Sequence, residues 1–142
     1  MRITKTYTFS ASHWLDGLPD GHKCGRLHGH NYRVTAVLEG PADAVGMVVD
    51  YGEIDATFGK WVRDQFDHRH LGPGALYTLA NLDEYVHGGD PVPFAAPVMD
   101  EQPTAENLAA LCLTVLRAQF GSLAQQVIVE EGDRTSASVS TG

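Results

Sequence analysis

Basic residues, cysteine and long apolar runs are all scarce in this chain. Lysine and arginine number 10 against 18 aspartates and glutamates, a formal net charge of −8. A surface of that sign repels phosphate backbones and anionic lipid, which argues against general binding to nucleic acid or a membrane face. A small anionic substrate remains open, because Lys23, Arg26 and Arg33 can form a local basic patch. There are two cysteines, Cys24 and Cys112. That is too few for a disulfide scaffold, and in a reducing compartment both are free thiols. No apolar run approaches the ~20 residues of a membrane span. The start, Met1-Arg2-Ile3-Thr4-Lys5, lacks the apolar region of a signal peptide, so a cytoplasmic location is expected. Internal repeats and low-complexity tracts are missing too. What is present, 43% apolar and 20% charged residues over a length of 142, fits one globular domain spanning 1–142 with a real core.

Against that background one stretch is unusually dense in chemistry. Gly21-His22-Lys23-Cys24-Gly25-Arg26-Leu27-His28-Gly29-His30-Asn31-Tyr32 holds a cysteine, three histidines and two cations. His28 and His30 are two apart at the start of an alternating apolar run. In an extended strand, residues two apart face the same side. Cys24 lies four residues upstream of His28, between Lys23 and Arg26, and nearby cations favour a thiolate.

The periodicities predict an α+β fold. Residues 3–9 are rich in β-branched and aromatic types and read as a strand, with His13 near its end. Residues 16–21 are dense in turn formers. A second strand runs from about His28 or Asn31 to Leu38, and antiparallel pairing would bring His13 beside His28 and His30. Asp50 and Glu53 suggest a capping box opening an amphipathic helix over 51–66, with Ile54, Phe58, Trp61, Val62 and Phe66 as core. Residues 72–102 are the least regular stretch, with a short helix at about 75–86 and a role as a mouth-covering loop expected. Thr104 suits the N-cap of a second helix, Glu106 its first turn, Leu108, Leu111, Cys112, Val115 and Leu116 its buried stripe, and Gly121 its stop. Val127 to Glu131 and 135–140 complete a ββααββ order, an antiparallel sheet with two helices on one face.

Three constellations carry chemistry. His13, His28 and His30 offer three neutral imidazoles with an open fourth position, the ligand set of a catalytic zinc site, set against ordinary surface or core histidines. Cys24 with Asp67-His68 could form a base and an oriented acid, set against a free surface thiol and a helix-end pair. Adjacent side chains do not face each other in a strand, so any cooperation between Asp67 and His68 depends on local backbone shape. Glu131 closes an apolar strand on the face of Val127 and Val129. A buried carboxylate there needs a donor, such as a ligand with an amidine-like N–H pair. The alternative is an exposed strand-end charge.

These pieces resemble the 6-pyruvoyl-tetrahydropterin synthase / 6-carboxytetrahydropterin synthase family. The match runs through Phe9-Ser10-Ala11-Ser12-His13, Gly21 to Tyr32, Gly46 to Tyr51, Asp67-His68, Pro103-Thr104-Ala105-Glu106-Asn107 and the Val-x-Val-x-Glu end at Glu131. The Gly-His-Lys-Cys-Gly-Arg-Leu-His-Gly-His run looks most like the bacterial queuosine-pathway enzyme of that family. The resemblance implies the tunnelling fold, with three subunits closing a barrel, two trimers stacking as a homo-hexamer, and sites at subunit interfaces. It implies zinc on His13, His28 and His30, Cys24 as base, and Asp67 and His68 as proton-handling partners. Glu131 would anchor a pterin ring, with Thr104 and Glu106 also on the substrate, 7,8-dihydroneopterin triphosphate. The implied reaction is a lyase cleavage giving 6-carboxytetrahydropterin, or elimination giving 6-pyruvoyltetrahydropterin. A pterin-binding module with structural zinc, or an interaction protein using its acidic surface, are the readings from other classes. The chain departs from the pattern at Leu71-Gly72, in a long segment from His68 to Pro103, and at Gly132 after Glu131, where Glu130 is a rival anchor.

Overall fold

The computed structural model describes residues 1–73 and 98–142. Strand β1 (Arg2–His13) and strand β2 (His28–Glu39) form a long antiparallel pair, in register from Arg2 opposite Glu39 to His13 opposite His28. Helix α1 spans 51–66 as a continuous rod, with a π-helical segment at Asp55–Gly59 between Tyr51–Ile54 and Lys60–Phe66. Strand β3 (Arg69–His70) follows, then helix α2 (Ala105–Phe120), strand β4 (Ala124–Glu131) and strand β5 (Ser136–Ser140). The sheet order is β3-β1-β2-β4-β5.

Alternation sorts the sheet into two faces. Tyr7, Phe9, Ala11 and His13 of β1, Tyr32, Val34, Ala36 and Leu38 of β2, and Val127 and Val129 of β4 are buried on one side, where Ile54, Phe58, Val62, Phe66, Leu108, Cys112 and Leu116 of the helices meet them. Aromatic packing ties the layers, with Phe9 stacked on Tyr32 at 4.9 Å between centroids and 5.1 Å from Phe66. Helix α1 lies close to β1 at Gly59, where a Cβ would fall 2.5 Å from the Tyr7 ring. The other face carries Thr4, Thr6, Thr8, Ser10, Arg33, Ser136, Ser138 and Ser140, all exposed.

The expected α+β plan with two helices on one face holds. Asp50 caps α1 by accepting from Gly52 N at 2.7 Å, and Thr104 caps α2 by accepting from Asn107 N at 3.2 Å. Three details differ. Strand β1 runs on to His13, because Phe9, Ala11 and His13 keep the inward alternation past the Ser10-Ala11-Ser12 stretch. Strand β4 starts earlier, at Ala124, across a register shift at Val37/Leu38. The sheet is not wholly antiparallel, since β3 pairs parallel with the end of β1, Ala11 to Arg69 and Ser12 to His70. The helix expected at about 75–86, and most of the segment expected to cover the site mouth, lie outside the described residues.

Candidate metal centre and proton-handling groups

Pairing of β1 with β2 puts His13 directly opposite His28, and His30 is two residues further along on the same face. His13 is buried, and the other two are partly exposed. Ring centroids are 4.6 to 5.0 Å apart, and one ligand atom from each ring lies within 4.8 Å of the others.

The hydrogen bonds around the rings fix which nitrogen is free. His13 Nδ1 sits 2.8 Å from the carbonyl oxygen of Pro103, and His28 Nδ1 sits 2.6 Å from that of Arg26. A carbonyl only accepts, so each Nδ1 carries the proton and each Nε2 presents a lone pair. The two Nε2 atoms are 3.0 Å apart. Two lone pairs at that distance repel unless a proton or a cation sits between them. Backbone carbonyls orienting the rings from behind are the usual support of metal-ligating histidines. Burial pushes the His13 imidazole down to about 4 against an opposing contribution from Pro103, with His28, His30 and His70 lowering it further. Burial, and then His28, lower His30 as well. Neutral imidazoles are the form that binds a metal. The three histidines therefore fit a cation, with borderline-soft zinc the best match to an all-imidazole set.

Glu131 lies opposite Tyr32 across β2 and β4, on the histidine face. Burial raises its carboxyl above the ordinary range, and Glu106 from the first turn of α2 raises it further. A partly buried carboxyl there suits a ligand edge rich in N–H donors. Glu130 is the neighbour on the opposite face, 3.6 Å from Arg33. The segment at 103–107 serves several purposes. Pro103 holds His13, Thr104 caps α2, the Glu106 charge raises Glu131, and Asn107 Nδ2 donates to Gln102 O at 2.8 Å.

Cys24 sits in a 3₁₀ turn, Lys23–Gly25, and is partly exposed. It is not a member of the three-histidine cluster. Cys112 is fully buried in the core, as expected, and burial pushes its thiol up. Asp67 and His68 do meet. His68 takes φ 58°, which turns its ring back so that Nδ1 lies 3.0 Å from Asp67 Oδ1. The same Asp67 oxygen accepts from Ser10 N at 3.1 Å, which anchors the pair to β1. The His68 side chain is 84% exposed, so a second surface could cover it. A groove of about 440 Å³ runs beside it, lined by Ser10, Ser12, Gly29, Asn31, His68 and Arg69.

Sequence reasoning missed His70, which is buried, stacked on Trp14 at 4.7 Å and 3.1 Å from Ser12 Oγ. Its place two residues after His68 was the available signal. It also missed the Pro103 carbonyl, which no side-chain pattern announces.

A mixed sheet on two helices gathers three imidazoles at the end of its longest strand pair, a donor set able to hold a metal ion, with the Glu131 carboxyl on the same face. The comparisons are specific. The family model described as 6-pyruvoyl tetrahydropterin synthase matches residues 2–141, and the chain belongs to that family. It is 36% identical over 110 residues to a 6-carboxy-5,6,7,8-tetrahydropterin synthase of Rickettsia felis, covering 77% of this chain and 75% of that protein. A protein of the same name from Haemophilus influenzae is 35% identical over 74 residues, 49% of this chain and 51% of the other. Among solved structures, the 6-pyruvoyl tetrahydropterin synthase of Caenorhabditis elegans superposes with TM-score 0.71 at 25% identity, covering 100% of this chain and 96% of its own. The Plasmodium falciparum structure, at TM-score 0.69 and 17% identity over 98% and 96% of the chains, supports the fold alone.

Proposed function

We propose that this chain is a zinc-dependent 6-carboxy-5,6,7,8-tetrahydropterin synthase. It would convert 7,8-dihydroneopterin triphosphate and water to 6-carboxytetrahydropterin, acetaldehyde and triphosphate, in the cytoplasm, supplying queuosine biosynthesis. The observation that carries this reading is the convergence of His13 and His28 through Nε2, each locked by a carbonyl behind Nδ1. The names of the Rickettsia and Haemophilus relatives support the carboxy product.

In this reading His13, His28 and His30 hold zinc, which when bound polarises the hydroxyl oxygens of the substrate side chain. Glu131 and Glu106 accept from the N–H edge of the pterin ring, with Thr104 beside them, and so fix the side chain toward the histidines. Cys24, standing outside the histidine cluster, takes a proton from that side chain as thiolate. His68, held by Asp67, returns one elsewhere on the substrate. The domain spans 1–142, and copies of it associate as a hexamer of two trimers whose contacts bring the exposed His68 to a neighbouring site.

The second reading is 6-pyruvoyltetrahydropterin synthase, favoured by the description of the family and the name of the Caenorhabditis structure. It eliminates triphosphate and keeps the carbon chain. Incubation of zinc-replete protein with dihydroneopterin triphosphate separates the two, because acetaldehyde forms only in the first. Neither product, with zinc bound and pterin retained, would leave a binding module. In Cys24→Ala the base role requires zinc to stay and turnover to fall by about 10²- to 10⁴-fold. Zinc lost with the thiol would make Cys24 a ligand instead.

A further inference from the structure

The turn that carries Cys24 is held from both sides. Its carbonyl accepts from Leu15 N at 2.8 Å, which ties it to the chain two residues past His13. Its own N–H donates to His22 Nδ1 at 3.1 Å. His22 is the N-cap of this turn, extended at φ −61° and ψ 131°, and its carbonyl accepts from Gly25 N at 3.0 Å. Its own N–H donates to Pro19 O at 3.0 Å, which fastens it to the preceding loop.

Histidine is an unusual choice here. The residues favoured as N-caps are Ser, Thr, Asp and Asn, each offering a side-chain oxygen. Asp would place an anion beside the sulfur and disfavour its thiolate. An imidazole accepting at Nδ1 carries its proton on Nε2 and is neutral, so it supplies the acceptor without the charge.

We propose that His22 is a positioning residue for Cys24: its neutral imidazole caps the turn, fixes the thiol relative to His13, and itself adds no anion beside the sulfur. The catalytic part of this inference rests on the proposed role of Cys24 as base. The cap itself does not.

The test uses the zinc-replete full chain and three substitutions. Amide hydrogen exchange at Cys24 reads the cap, and kcat and KM with dihydroneopterin triphosphate read its consequence. In His22→Ala, exchange at Cys24 is expected to rise and kcat to fall by roughly fivefold or more, the scale of a lost N-cap, with KM and zinc content within twofold. His22→Asn, which restores a neutral acceptor, is expected to return both to within about twofold of wild type. His22→Asp should protect the amide equally but give a lower kcat than Asn at neutral pH. Unchanged exchange or unchanged kcat in His22→Ala would overturn the positioning role, as would an Asn variant as impaired as Ala. Equal kcat for Asp and Asn would overturn the argument from charge. If His22→Ala stays active while Cys24→Ala is dead, only the positioning inference fails. If Cys24→Ala stays active, the base reading fails with it.

Discussion

The two halves of the candidate site are built on different kinds of structure. The histidine half stands on two long paired strands, with each ring's position set by sheet register and two of the three locked by a backbone carbonyl. The half proposed to handle protons stands on turns. Cys24 is in a single 3₁₀ turn, and His68 sits at a positive φ with its side chain 84% exposed. A metal site has to be stiff, because ligand geometry decides affinity. Groups that move protons can be carried on loops, provided something else completes their surroundings. The histidine half is complete within one chain. The other half leaves His68 exposed, and in the proposed assembly a second copy would cover it.

The largest effect should come from breaking the stiff half. His13→Ala is expected to leave zinc below about a tenth of the wild-type content and turnover at background, since three imidazoles are the minimum set. Removing zinc from the intact protein should also destabilise it. A bound metal at 100 times its dissociation constant contributes about 2.7 kcal/mol, roughly 5–10 °C in melting temperature for a domain of this size. Elemental analysis and thermal melts with and without chelator check both. Chelation that leaves the melt unmoved would mean that the cation is not bound in the folded state at the tested concentration.

Next comes the half built on turns, proposed to serve a neighbour. Cys24→Ala and His68→Ala are each expected to be nearly inactive alone. If a site takes Cys24 from one copy and His68 from the next, co-refolding equal amounts restores about a quarter of the wild-type rate, the chance that both residues at an interface are intact. No recovery despite demonstrated mixing would place both groups in the same chain's site.

The difference between the halves also explains what could be read from the sequence. The histidine half was legible because strand periodicity is simple: residues two apart share a face, and an antiparallel partner follows when two alternating runs are joined by turn residues. That reasoning reached His13, His28 and His30 together. It stopped short on the length of β1, because Ser10 and Ser12 look like a loop until Ala11 and His13 are seen to keep the alternation. The Asp67-His68 pair was legible as residues but not as a geometry, since whether neighbours can meet depends on a φ of 58° that side-chain types do not dictate. Strand β3 is two residues long and has no periodicity to read. The carbonyl of Pro103, 90 residues from His13, belongs to tertiary structure alone.

Glu131 stands on the histidine face, and its titration has a defined sign. Glu131 has a folded value raised by burial and by Glu106. A carboxyl raised in the fold costs nothing in acid. Its penalty sets in as pH climbs through the ordinary value of 4.5 and is complete above the folded value. Glu131→Gln is therefore expected to melt at the wild-type temperature near pH 4 and higher than wild type at pH 7, without ligand. Its KM should rise by about tenfold or more, because an amide cannot accept from two N–H donors as a carboxylate does. Stability gained with binding lost would be the signature of a carboxylate kept for a ligand.

The smallest effect tests the face assignment itself. Glu130 and Glu131 are neighbours in sequence, and only the pleat separates them. Glu130 pairs with Arg33 at 3.6 Å, with the arginine side chain half exposed. Exposed pairs of that kind contribute about 0–1 kcal/mol. Glu130→Gln and Arg33→Ala are expected to shift the melt little and leave KM within about twofold of wild type, because neither side chain shares the histidine face. The comparison with Glu131→Gln is internally controlled: same strand, same chemistry, opposite sides. If Glu130→Gln raised KM as much as Glu131→Gln does, the pterin edge would have to be read from the other side of the sheet, toward the groove at Ser10, Ser12 and Asn31.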